Sequence, residues 1–205
     1  MKRGLFIVIL SALSAISSSA ITRNQGAGRL TYGVEWGYSA AFFKGTHFYF
    51  IAPEGFRGDD SQRKAIFNSN GEIYLHAGYN LSDKWNISLY AGYTGIGDFH
   101  TGIPVSARFT RYFGTNSMDD RWFAYCDLGS GISLKKYPQE LLGAKLGGGY
   151  RLSMSRTTKL DFIAAIRFMH THPQIDYFGS IIDKDSVDRN DGYILSASVG
   201  IGITF

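Results

Sequence analysis

The residues predict an all-β chain: an eight-stranded antiparallel up-and-down transmembrane β-barrel. Three observations carry that prediction. First, the final stretch, Asp191 to Phe205, reads DGYILSASVGIGITF. Tyr193, Leu195, Ala197, Val199, Ile201, Ile203 and Phe205 share one face; Ile194, Ser196, Ser198, Gly200, Gly202 and Thr204 share the other. Side chains alternate sides in this way only in an extended strand, so the stretch is a long strand with one greasy face and one small, mostly polar face. Second, seven earlier stretches repeat the pattern, which makes the strand number even. Third, the connections alternate between short polar turns and longer loops, which gathers the loops at one end, as barrels in a membrane do.

Ahead of the strands, Met1-Lys2-Arg3 precedes the apolar run Gly4 to Leu10 and small residues ending Ser18-Ser19-Ala20. A basic start, a short apolar middle and small residues at the cleavage site describe a secretory signal over residues 1–20, with the barrel domain over 21–205. The run is too short to span about 30 Å of hydrocarbon. No cysteine near Ala20 offers a lipid anchor. Removing two cations takes the formal charge from +4 to +2, a balance that excludes nucleic acid as an expected partner. The lone Cys126 cannot form an internal disulfide. No later stretch approaches 18 uninterrupted apolar residues, so helical spans are excluded and a barrel is not.

The first strand is predicted over Leu30 to Phe43, with Trp36, Tyr38 and Phe42 on the apolar face and Glu35 on the other. Lys44 to Asn70 reads as a long connection, in which the aromatics His47 to Phe50 are a candidate extension of the first strand. Strand two covers Glu72 to Leu81, with Glu72 and His76 on its polar face, and the turn Ser82-Asp83-Lys84 leads to strand three, Trp85 to Tyr93. A glycine-rich loop, Thr94 to Gly102, precedes strand four, Ile103 to Phe113, which carries Arg108. Strand five, Arg121 to Leu134, carries Asp127, and strand six, Leu141 to Leu152, carries Lys145. Strand seven, Lys159 to His170, carries Asp161 and Arg167, and a polar loop from Thr171 to Asn190 reaches the last strand.

Eight amphipathic strands also suit a soluble lipocalin-like barrel, whose apolar face points inward. Aromatics gathered near the strand ends on the apolar face favour the inverted arrangement, because interfacial girdles belong there. The opposite face mixes small residues with Glu35, Glu72, Asp127 and Asp161 against Arg108, Lys145 and Arg167, with His76 among them. An eight-stranded interior is barely wide enough for side chains, so charges inside it must pair. Those residues are the predicted interior network.

Taken with the export signal and the last strand ending on Phe205, the chain resembles the small eight-stranded bacterial outer-membrane barrels of the OmpA/OmpX type. The resemblance covers the whole mature chain and is one of architecture. It implies a Gram-negative outer membrane, contact with outer-membrane lipids, and Phe205 as the signal read by the barrel-assembly machinery. It implies no single activity, since the fold carries adhesins, anchors and lipid-modifying enzymes.

One stretch invites a chemical reading. Arg167-Phe168-Met169-His170-Thr171-His172-Pro173 resembles the His-x-Ser-Asn signature of lipid A 3-O-deacylase barrels, with His170 matching that family's base. His172 stands in place of the nucleophilic serine and Pro173 in place of the asparagine. Acyl transfer then lacks its attacking group unless Ser180 or Ser186 supplies one. His170 is thus a candidate and no catalytic residue is assigned; the two histidines read as an interfacial cap on the strand. As metal ligands at i, i+2 they need others from elsewhere, so no metal or cofactor is expected. Asp183 to Gly192, DKDSVDRNDG, lacks the EF-hand spacing and reads as a solvated loop. Gly147-Gly148-Gly149 lies within a strand rather than a phosphate-binding turn. The expectation is a monomeric, non-enzymatic barrel with a plugged interior, binding through its loops.

Overall fold

The computed structural model describes residues 29–96, 100–114, 118–134, 140–173, 175–177 and 180–205. The predicted signal segment and most of the polar lead-in lie outside the described residues, as do the loop Lys135 to Gln139 and part of the turn after strand four.

Eight strands close a ring: β1 (Leu30–Ile51), β2 (Arg57–Ser82), β3 (Trp85–Ile96), β4 (His100–Tyr112), β5 (Arg121–Ser133), β6 (Glu140–Ser153), β7 (Lys159–Thr171) and β10 (Val187–Thr204). Two short strands, β8 (Asp176–Tyr177) and β9 (Ser180–Ile181), pair with each other between β7 and β10. The ring order is β1-β10-β7-β6-β5-β4-β3-β2. All neighbours run antiparallel, so each strand follows its predecessor up or down and the first meets the last. At that seam Trp36 lies opposite Ile201 and Gly37 opposite Gly200. Phe205 completes it: its backbone exchanges hydrogen bonds with Tyr32 at 2.8 and 3.1 Å, and the two rings stack.

Alternation sorts the side chains as the sequence predicts. Trp36, Leu75, Leu89, Val105, Leu128, Leu146, Ile166 and Val199, one from each strand of the ring, are exposed on the outside. Glu35, Glu72, His76, Arg108, Asp127, Lys145, Asp161 and Arg167 are all buried inside. An apolar band round the whole circumference far exceeds the few hundred Å² of greasy patch that soluble monomers expose. The lipocalin-like alternative needs the reverse orientation, and the structure overturns it.

Two bulky interior rings sit where the wall gives way. A Cβ on Gly147 of β6 would sit 2.7 Å from the Tyr125 ring and 2.6 Å from the Ala164 carbonyl oxygen. The glycine run therefore makes room for Tyr125 and Phe123 of β5 within a filled barrel.

The structure departs from the sequence reading above the band. Lys44 to Asn70, expected as a loop, is strand for most of its length: β1 continues to Ile51 and β2 begins at Arg57. The tip between them turns at Gly55, whose φ of 87° suits a residue without a side chain. A bulge between Ala41 and Phe43 marks the change: Phe42 is skipped by the register, while Phe43 pairs with Leu195 and Ala65. The loop expected from Thr94 likewise gives way to strand up to Ile96, and strand resumes at His100. The last strand starts at Val187 rather than Asp191. The result is a three-stranded arm, β2-β1-β10, standing above the ring. Phe50, Ala52, Ile175 and Ile182 form a small core at its end, with Phe48 and Val187 packed on it.

Candidate functional site

The inward faces of the strands bring the predicted charges into three clusters. In one, Arg108 of β4 reaches Glu35 of β1 at 2.6 Å and forms a two-pronged pair with Asp127 of β5 at 2.7 and 2.9 Å. Its guanidinium lies between the Tyr90 and Tyr125 rings, 3.9 Å from each centroid, and donates to the Tyr90 hydroxyl at 3.0 Å. Planar stacking with bidentate pairing is what arginine does and lysine does not. Towards the loop end, Glu72 of β2 accepts from Lys145 of β6 at 3.2 Å and from Arg167 of β7 at 3.1 Å. Arg167 also donates to Thr94 at 2.7 Å and to Ser39 at 3.0 Å, crossing the barrel. Towards the turn end, Arg151 of β6 grips Asp161 of β7 with two bonds of 2.6 Å. Thr204 donates to Asp161 at 3.3 Å, and His76 stacks on Tyr90.

Arg151, Arg121 and Lys159 are buried cations that the sequence reading missed. Arg151 balances Asp161, while Arg121 and Lys159, at the turn end, donate instead to the backbone carbonyls of Asp83 at 2.6 Å and Ser155 at 2.9 Å. The signal for Arg151 was present, because Lys145, Gly147, Gly149 and Arg151 share one parity, but the position lies one residue from the expected strand end. A buried charge without a partner costs several kcal/mol, so paired clusters are the form such charges take.

The second candidate site is at the loop-end rim. His170, near the end of β7, lies opposite Tyr193 of β10, so its side chain reaches Asp191 two residues on. His170 Nε2 lies 3.3 Å from Asp191 Oδ1, and His172 Nδ1 lies 3.9 Å from the same oxygen. Arg189 donates to the other oxygen, Oδ2, at 2.5 Å. That hydrogen bond holds the Asp191 carboxyl below the usual carboxylate range. Asp191, expected at the start of the last strand and at the end of an acidic loop segment, lies inside β10 and faces the histidines. The two rings stand edge to face. An open groove of about 840 Å³ runs down the outer wall from His170 and His172 past Leu142, Leu141 and Ile132 to Ile103.

Ring closure, an apolar exterior and an ionic interior together define a transmembrane β-barrel of the smallest common size. No protein-family model and no curated protein matches the chain. Among solved structures, the outer membrane protein OprG from Pseudomonas aeruginosa aligns with 89% of this chain and 99% of its own, at 12% identity and a TM-score of 0.51. Neisserial surface protein A aligns with 86% of this chain and 98% of its own, at 15% identity and a TM-score of 0.46. The likeness to OprG is one of fold.

Proposed function

We propose that the protein is a bacterial outer-membrane β-barrel without enzymatic activity, exported by cleavage of residues 1–20 and acting through its surface arm and loops. One observation carries this reading: the apolar side of every strand in the ring faces out while the paired charges face in. Water would reverse that arrangement, and lipid stabilises it. Phe205, just past β10 and hydrogen-bonded to Tyr32 at the seam, is the residue we propose the assembly machinery reads. The monomer is sufficient, because the ring closes within one chain. The arm carries exposed aromatics and mixed charges of the kind loops use to bind, among them Phe56, Phe67, Asp60 and Arg63.

The clusters fill the bore, so the barrel anchors rather than conducts. Recovery in the outer-membrane fraction, faster gel migration before heating than after, and no steady conductance in planar bilayers are the expected results. Recovery from the periplasm without detergent would sink the proposal. The His170–Asp191 contact favours a second reading, a lipid A deacylase-like hydrolase with His170 as base. Mass analysis of lipid A decides between them: acyl chains lost only when His170 is intact would establish the hydrolase.

A further inference from the structure

The rim cluster has a chemistry that neither anchoring nor acyl transfer uses. Two imidazoles and a carboxylate are the donor set that borderline divalent cations of the d-block take, and here their nitrogen and oxygen atoms converge. We infer that His170, His172 and Asp191 bind such a cation, of the Zn²⁺ type, at the loop-end rim of the barrel.

Strand geometry builds the site. Residues at i and i+2 project to the same side of a strand, so His170 and His172 present their rings together. The antiparallel register of β7 and β10 then delivers Asp191 beside them from the partner strand. One ligand atom from each of the three residues falls within 4.8 Å of the others. In a tetrahedral site with bonds of about 2.1 Å, ligand atoms stand about 3.4 Å apart. The 3.3 Å between His170 Nε2 and Asp191 Oδ1 already has that spacing. His172 lies just past the end of β7 and its side chain is half exposed, so rotation of that one ring closes the remaining gap.

Arg189 completes the arrangement from behind. By taking Oδ2 it leaves Oδ1 directed at the imidazoles, the role an outer hydrogen bond plays around a ligating carboxylate. Its positive charge opposes the cation, so the site binds more weakly than a closed structural zinc site. The fourth position opens outward, where water or a lipid phosphate oxygen completes the coordination. An ion held there ties the end of β7 to the base of β10 and fixes the root of the intervening loop.

The test is a Zn²⁺ titration of tag-free protein folded in detergent micelles, followed by calorimetry. One saturable equivalent is expected. His170→Ala, His172→Ala and Asp191→Asn each weaken it by about tenfold or more, since loss of a mere outer partner costs about 10–100-fold. His47→Ala, which breaks the other histidine–carboxylate pair, with Asp59 on the arm, leaves it unchanged. Co²⁺ replacing Zn²⁺ gives the intense visible bands of a low-coordinate nitrogen–oxygen site. Should a variant fail to fold, histidine modification of the unaltered protein by diethyl pyrocarbonate, mapped by mass spectrometry, gives the answer independently. Zn²⁺ is expected to protect His170 and His172 and to leave His47 reactive. Absence of saturable binding, binding that survives His170→Ala with His172→Ala, or equal reactivity with and without Zn²⁺ would overturn the inference.

Discussion

Arg108 shows what a charge inside an eight-stranded bore demands. It is 4% exposed, paired with two carboxylates and sandwiched by two rings, so none of its donors faces an empty direction by default. Arg108→Met alone strands Glu35 and Asp127 as buried anions. We expect a loss of about 3–5 kcal/mol in urea unfolding of the protein in lipid vesicles. Replacing all three together, Glu35→Leu, Arg108→Met and Asp127→Leu, removes the charges and their desolvation cost at once. That variant is expected to unfold within about 1–2 kcal/mol of the parent, or above it. If the single and triple variants lose the same stability, the cluster is not a closed ionic unit. The inward position of each member was legible from parity alone. Which acid meets which base was not, because partners such as Arg108 and Glu35 lie 73 residues apart and their pairing depends on strand stagger. Asp191 escaped notice for the same reason: its nearness to His170 exists only once β7 and β10 are in register.

The strands within the bilayer were legible almost to their ends, and the arm was not. From Gly71 to His76 of β2 exposure alternates residue by residue, whereas Arg57 to Ala65 is exposed at nearly every position. Above the membrane, water bathes both faces, so the period of two disappears from the side chains while the backbone ladder continues, for example Lys44 opposite Lys64. Length is the other clue: β1 has 22 residues and β2 has 26, against about 9–11 needed to cross the hydrocarbon. The arm should therefore be separable from the barrel. Deleting Thr46 to Gln62 and joining the ends through a two-residue Asn-Gly turn is expected to leave the heat-dependent gel shift intact. Loss of that shift would mean that the arm helps to close the ring.

At the scale of the whole molecule, the lipid band makes a graded prediction. Val199 lies midway along β10 between Tyr193 and Phe205, outward and 63% exposed. An arginine there is expected to cost about 2–4 kcal/mol in unfolding from vesicles, and one at Ile203, near the turn-end interface, about 0–1 kcal/mol. Equal costs at both positions would contradict a bilayer centred on the barrel. Closure has a kinetic side as well. Arg108–Asp127 and Arg151–Asp161 join neighbouring strands and can form as soon as those strands pair. Arg108–Glu35 and Arg167–Ser39, across 73 and 128 residues of sequence, form only when the first strand has been brought round to close the ring.

Beyond Glu72, whose partner is Thr94, the ladder between β2 and β3 stops while β2 itself continues upward as the flank of the arm. A row of main-chain donors and acceptors along that edge then faces no neighbouring strand of the ring. Asp59, Asp60, Arg63 and Lys64 stand along that flank. Their hydration makes zipping one copy against the next costly, and this is how an open rim avoids becoming a template for fibres.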